Sequence, residues 1–413
     1  MRTLSDVLQR TPPEIWLTIF EQATFVPHAF ETDGGDPFDI PARPHPSMIR
    51  DDDSLQSLDN ALGWHSTASR KLRVRRLDLF RWPYSDDYAP LAPDTLIHLF
   101  RQLPHLEILY VATYRIHTDA NGCDLTRYLH SDEVDSLIDA LLATPACTTL
   151  RKCVFGPSTI SARQCNNLLS RCMQLSCMFV HSYALLHSCE EQRIPPLSPL
   201  TCMSIECSDM DMADEAWNQK LLVPSLRHVH IRLLMLADGH GAGTVAFLRV
   251  QGVCLRTVQI DMCGYTSRHR LQFCLRLLAE HCPNLVHLIF IYYHRSTVLP
   301  FEFTFFPPTV THLGVYIQDG MYSQDDHGPR RGLCAYLGHL HAAFEHQDTM
   351  PGAVPRLGVI RRLNTSTKEE WDYLLRDGEL LARYAALPMP PHCRLEDAEG
   401  RDLMSLLRSS MSS

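Results

Sequence analysis

The sequence predicts an α/β solenoid with parallel strands on a concave face and helices on a convex face, led by a short N-terminal helical segment. Three observations carry this. Seven hexapeptides of the form apolar-x-x-apolar-x-apolar start at Leu150, Leu175, Leu200, Leu226, Leu255, Leu285 and Val310, in steps of 25, 25, 26, 29, 30 and 25 residues. Stretches with helical spacing precede several of them. The chain has 413 residues and 45% hydrophobic content, enough for a large core. A period in the twenties carrying Leu-x-x-Leu-x-Leu marks stacked strand-plus-helix units, none of which can bury its apolar face alone.

Taken in order, the first element is a helix in "LSDVLQRTPPEIWLTIFEQAT". Thr11 caps it, Pro12 suits its first position, and Glu14 reaches back to complete a capping box. Ile15, Trp16, Ile19, Phe20 and Ala23 then fall on one face. The run "PPEIWLTIF", Pro12 to Phe20, resembles the first helix of the F-box family, which opens Leu-Pro-x-Glu-Ile/Leu and continues with Ile-Phe. The following "EQATFVPHAFETDGGDPFDIP" is similar to the opening of F-box proteins of mushroom-forming fungi, which pair an F-box with weak leucine-rich repeats. The resemblance implies that Pro12, Pro13, Glu14, Ile15, Trp16, Ile19 and Phe20 bind a Skp-type adaptor of a cullin-RING ubiquitin ligase, while the repeats present a protein substrate. Thr11 stands where the family has Leu. Residues 41–70 lack the Val-Cys-x-x-Trp pattern of the later F-box helices, and Trp64 has no cysteine before it, so the F-box reads as incomplete. The same helix also reads as a cap over the open edge of the solenoid.

After this F-box-like segment, residues 1–40, comes a linker over 41–71, marked by Pro41, Pro44, Pro46 and the run Asp51, Asp52, Asp53. The degenerate leucine-rich-repeat solenoid spans 72–364. It opens with Val74, Leu77 and Leu79, then Leu106, Leu109 and Val111. The step from Leu106 to Leu150 holds an insertion, residues 116–149, with a helix in "SDEVDSLIDALLAT". Leu168 and Leu169 belong to the helix before Leu175, and "RLQFCLRLLAEHCP" is the helix before Leu285, stopped at Pro283. A regular leucine-rich repeat carries Asn or Cys eight residues after its first Leu. Here that place holds Ser158, Tyr183, Ser208, Leu234, Cys263, Tyr293 and Gln318, so the loops are irregular. Leu357 and Ile360 mark one further strand. A C-terminal helical cap and tail follows over 365–413: Ser366 and Glu369 form a capping box, Gly378 divides the helix, and "RLEDAEGRDLMSLLRSSMSS" reads as a mobile tail.

The composition excludes several function classes. A net charge of -9 argues against a nucleic-acid binder, which needs a basic face. The one basic run, Arg70, Lys71, Arg73, Arg75 and Arg76, is threaded by Leu72, Val74, Leu77 and Leu79 and reads as the solvated face of the first strand. The start has no apolar secretory region, and "LVHLIFIYY", the longest apolar run, is too short for a bilayer, so no membrane partner is expected. Fifteen cysteines with no C-x-x-C pair read as reduced and buried, with Cys172 and Cys282 at helix-to-strand corners. A cytoplasmic or nuclear location follows. No catalytic residue, cofactor or metal is expected: Gly239, Gly241 and Gly243 in "DGHGAGT" lack a phosphate-binding pattern and read as a loop. "HRSTV" and "HSYALLH" have no nucleophile elbow, and His339, His341 and His346 lie on a surface helix without ligand spacing.

One pattern remains. Residues two and four after the first Leu of a unit project from the strand face opposite the core. This puts His228, Thr257, His287 and His312 in one column, with His230, Gln259, Ile289 and Gly314 beside them. These residues are the expected substrate face, with affinity changing near pH ~6.5 as imidazoles charge. The sequence therefore reads as the substrate-recognition subunit of a ubiquitin ligase, the alternative being a leucine-rich-repeat scaffold with no ligase link.

Overall fold

The computed structural model describes residues 75–81, 93–113, 115–118, 124–127, 131–155, 160, 162–179, 200–206, 223–232, 242–262, 268–293, 306–318, 332–345, 357–364, 366, 368–387, 389 and 392–411. These fall in two compact units, one ending at Thr201 and the other running from Cys202 to the C-terminus. The adaptor-binding residues expected from the sequence, Pro12 to Phe20, lie outside the described residues.

In the first unit the order is β1 (Arg76–Arg81), α1 (Pro93–Arg101), β2 (Ile108–Thr113), β3 (Arg115–Thr118), β4 (Asp124–Arg127), α2 (Ser131–Leu142), β5 (Lys152–Phe155), α3 (Ala162–Arg171) and β6 (Cys177–Phe179). Strands β1, β2, β5 and β6 pair in parallel, in chain order. Leu77, Leu109, Cys153 and Met178 stand in one register row, and all four are buried. Against them lie the apolar faces of the helices: Leu96, Leu99 and Phe100 of α1, Val134, Ile138 and Leu141 of α2, and Leu168 of α3. The expected insertion holds α2 as predicted, and also an antiparallel hairpin of β3 and β4 that the sequence reading did not anticipate.

The second unit runs β7 (Cys202–Glu206), β8 (His228–Arg232), α4 (Ala242–Gln251), β9 (Thr257–Met262), α5 (Arg268–His281), β10 (His287–Tyr293), β11 (His312–Gln318), α6 (Gly332–Glu345), β12 (Val359–Arg362), α7 (Lys368–Arg376), α8 (Gly378–Ala385), β13 (Arg394–Glu396) and α9 (Leu403–Met411). Its seven long-sheet strands are again parallel and adjacent in chain order. Met203, Val229, Val258, Leu288, Leu313, Ile360 and Leu395 form the first inward row, and Ile231, Ile260, Phe290 and Val315 lie in the second, all buried. Full burial of each such side chain contributes roughly 1.5–3 kcal/mol, available only when a neighbouring unit covers it. This is a leucine-rich-repeat-like fold.

Six of the repeats turn the corner into their strand the same way. The amide of the first apolar residue donates to the carbonyl three residues back: Leu106 to Leu103, Leu175 to Cys172, Leu226 to Val223, Leu255 to Gly252, Leu285 to Cys282 and Val310 to Pro307. Pro104, Pro224, Pro283 and Pro308 sit inside these turns, where a fixed φ suits the second turn position. Side chains also reach between neighbouring corners at the strand entries. Thr149 Oγ1 donates to the Leu106 carbonyl (2.9 Å), Ser176 Oγ to that of Arg151 (3.1 Å) and Asn284 Nδ2 to that of Val253 (2.7 Å). Cys172 and Cys282 are buried at corners as expected, and burial pushes both thiols up to about 12.

Four expectations are corrected. The C-terminal segment is not a mobile tail: β13 joins the sheet, and α9 buries Leu403, Met404 and Leu407. Its sequence hides the repeat because His392 and Asp397 replace two of the three apolar positions and leave only Leu395. The "DGHGAGT" stretch is not only loop, since α4 begins at Ala242. His341, expected on a surface helix, is itself buried, on the helix face that also buries Leu333, Tyr336, Leu337 and Leu340. Ser366, expected to cap α7, accepts a hydrogen bond from Arg362 Nη1. Gly378 does divide the helix, with Asp377 capping α8 through the Leu380 amide at 3.0 Å.

Two substitutions test this packing. A Cβ on Gly252 would stand 2.3 Å from the His281 carbonyl oxygen, whereas Gly378 has nothing within 4 Å. Gly252→Ala should therefore lower stability to urea by about 1–3 kcal/mol, while Gly378→Ala leaves it unchanged or slightly raised. Leu407→Ala should cost about 2–4 kcal/mol in the same measurement, where a mobile tail would give no change.

Candidate protein-binding face

The parallel register fixes which outward side chains stand together in the second unit. One row runs Cys202, His228, Thr257, His287, His312, Val359 and Arg394. The next runs Ser204, His230, Gln259, Ile289, Gly314, Arg361 and Glu396. The sequence-derived residues His228, His230, Thr257, Gln259, His287 and His312 thus lie in two adjacent rows, on strands about 4.8 Å apart.

The rows are recessed rather than fully open. His228, Thr257 and His287 are buried, with His287 3% exposed, while His230, Gln259 and His312 are half-buried. His287 is held from both sides: its Nδ1 lies 3.3 Å from Thr257 Oγ1, and its ring meets His312 edge-on with centroids 4.8 Å apart. Thr311 Oγ1 lies 2.8 Å from His312 Nδ1 and fixes that ring in turn. Burial, then the nearby His312 and Arg361, push the His287 pKa down to about 4. A buried imidazole beside two potential cations stays neutral across the physiological range. On the neighbouring strands, His230 Nε2 lies 3.9 Å from Asp261 Oδ2.

Sequence reasoning missed the end of these rows. Arg361 donates to Glu396 Oε2 through Nε (3.0 Å) and Nη2 (2.7 Å), and Arg394 Nη2 lies 3.2 Å from Glu396 Oε1. Arg361 is legible in retrospect as the residue four after Leu357; Glu396 is not, because its unit has no apolar first residue. Gly400, at φ 78, brings the following turn alongside, where a Cβ would stand 3.3 Å from Arg361 Nη2. On the core side, Arg362 and Asp397 replace the apolar residues of the second inward row. Arg362 Nη2 donates to Glu370 Oε1 at 2.6 Å, both groups buried, and this pair ties α7 to β12. Asp397 accepts from the Arg401 amide (2.8 Å) and Arg401 Nε (2.7 Å).

Among the described residues, no group of three or more His, Cys, Asp or Glu is placed to hold a metal ion. No described helix is long and apolar enough to cross a membrane. The arrangement can offer shape and hydrogen bonds to a partner.

No family model matches the sequence. No curated protein matches it either. Among solved structures, the leucine-rich repeat-containing protein LegL7 from Legionella pneumophila is similar over 82% of this chain and 97% of that chain, at 14% sequence identity and a TM-score of 0.42. The strand register, read on its own, defines the leucine-rich-repeat-like fold of this chain.

The lowered pKa of His287 has a thermodynamic consequence. Between pH about 6.5 and about 4 the unfolded chain binds a proton that the folded chain refuses. The neutral ring therefore adds stability above pH 6.5 that is lost as pH falls toward 4. Urea unfolding at about pH 7 and about pH 5 should show a stability loss smaller in His287→Gln than in the parent by on the order of 1 kcal/mol, after allowance for solvent screening.

Proposed function

We propose that this chain is the substrate-recognition subunit of a cullin-RING ubiquitin ligase, a repeat protein that carries a Skp-type adaptor at its N-terminal helix and a protein substrate on its strand face. The observation that carries the reading is the order of two features in one chain. The motif "PPEIWLTIF" resembles an F-box opening, and it precedes parallel repeats whose outward rows include His, Thr, Gln and Arg side chains. In this reading Pro12, Pro13, Glu14, Ile15, Trp16, Ile19 and Phe20 bind the adaptor. His228, His230, Thr257, Gln259, His287 and His312 form the substrate side, with the half-buried members in contact and the buried ones setting their geometry. The chain acts as a binder, without chemistry of its own, in the cytoplasm or nucleus.

A second reading is favoured by residues 41–70, which lack the pattern of the later F-box helices. The chain is then a repeat scaffold for protein partners, and its N-terminal helix covers the edge of the first repeat.

Co-purification with a Skp-type adaptor separates the two. The ligase reading predicts that the full chain retains the adaptor, that Ile15→Glu with Phe20→Glu abolishes retention, and that His312→Leu leaves it intact. Failure of the unaltered full chain to retain the adaptor would overturn that reading and leave the scaffold.

A further inference from the structure

The second unit carries another exposed feature, at the edge of the sheet where its strands begin and apart from the outward rows. Four residues before the register partners His228, Thr257, His287 and His312 stand Pro224, Val253, Pro283 and Pro308, one in each strand-entry turn, and all four are exposed. Val253 is 51% exposed, and the half-buried Cys254 and Val286 add to the apolar content of the strip. The strip is stiff. Arg227 Nη1 donates to the carbonyls of Pro224 (2.6 Å), Leu226 (3.0 Å) and Cys254 (3.4 Å), and Asn284 Nδ2 to that of Val253 (2.7 Å), so side chains tie three successive turns together. Proline has no side-chain freedom to lose on binding, and a β-branched valine little. Its charge is one-sided: residues 223–227, 252–256, 282–286 and 307–311 include the exposed Arg227 and Arg256 and no Asp or Glu. The carboxylate nearest to them in sequence, Glu280 at the end of α5, lies 3.7 Å from His281 Nε2.

Going beyond the proposed function, which concerns the strand face, we infer that this strand-entry edge docks an amphipathic helix of a partner protein. Its apolar stripe lies on Pro224, Val253, Pro283 and Pro308, and Asp or Glu beside the stripe meets Arg227 and Arg256. The spacing favours a helix. Neighbouring strands, and with them their entry turns, are about 4.8 Å apart, and successive turns of a helix about 5.4 Å. A helix laid along the strip therefore sets one apolar side chain over each of several turns, whereas an extended segment repeats one face roughly every 7 Å and falls out of step. Arg227 and Arg256 stand on neighbouring strands, the Arg227 carbonyl accepting the Arg256 amide. A carboxylate set beside these two like charges relieves their repulsion and accepts charge-assisted hydrogen bonds, which are about twice as strong as neutral ones. A basic helix would add to the repulsion.

Selection of phage-displayed helical peptides, randomised on one face, against the full-length chain tests this. The recovered peptides should carry apolar residues at i, i+3 or i+4, and i+7, with Asp or Glu alongside. They should lose affinity several-fold on Val253→Asp and on Arg256→Glu, regain it for Arg256→Glu when their acidic residue is changed to Arg, and bind His312→Leu like the parent. Val253 and Arg256 are exposed, so the folded repeats persist in both variants, as circular dichroism would verify. Peptides that depend on Val253 but carry no acidic residue, peptides indifferent to both substitutions, or none recovered would overturn the inference. So would sedimentation of the chain alone as a dimer that Val253→Asp dissolves, which assigns the strip to a second copy. None of these outcomes touches adaptor retention, so the proposed function stands or falls separately.

Discussion

The structure depends on one hydrogen-bonding arrangement, repeated at the entry to nearly every strand. The carbonyl of the residue after the first apolar position accepts two consecutive amides from the next unit. In the first unit Arg75 takes those of Glu107 and Ile108, Glu107 those of Arg151 and Lys152, and Arg151 those of Ser176 and Cys177. In the second, Arg227 takes those of Arg256 and Thr257, Arg256 those of Val286 and His287, Val286 those of Thr311 and His312, and Thr311 those of Gly358 and Val359. Because a strand alternates its side chains, a one-residue slip at any entry would turn the apolar rows outward and the polar rows into the core. These shared carbonyls therefore decide both what is buried and what is displayed.

Much of this was legible in the sequence, because the apolar ladder records the inward rows directly. Leu226, Val229 and Ile231 announce their strand, and the neighbouring triplets theirs, so the outward positions followed by counting. The sequence reading failed where a unit departs from the apolar pattern. In the last two units Arg362 and Asp397 take ladder positions, each stabilised by partners that only the folded chain assembles: Glu370 and Ser366 for one, Arg401 for the other. A pattern built on hydrophobicity cannot register a site closed by a buried ion pair, so the end of the repeats read as a tail. The degree of burial in the histidine column was equally invisible. Nothing in the spacing of His228, Thr257 and His287 says that three residues on the outward rows are enclosed while His312 remains accessible.

This division matters for what the face does. The enclosed Thr257 and His287, with the half-buried Thr311, fix the rings beside them: Thr257 against His287, His287 against His312, Thr311 against His312. The accessible residues stand on that fixed arrangement with few remaining rotamers to lose, the condition under which polar contacts add affinity instead of spending it on ordering. Toward the C-terminal end of the same rows, Arg361, Arg394 and Glu396 continue the polar surface onto the capping strand. The cap is thus part of the displayed surface as well as the closure of the core.

The central claim is that the shared strand-entry carbonyls hold the repeats in register, and amide hydrogen exchange tests it most directly. The account predicts that the amides of Ile108, Lys152, Cys177, Thr257, His287, His312 and Val359 are among the slowest to exchange in their units, opening only with the sheet. Exchange of these amides at surface rates, while the amides of the adjoining helices stay protected, would contradict it.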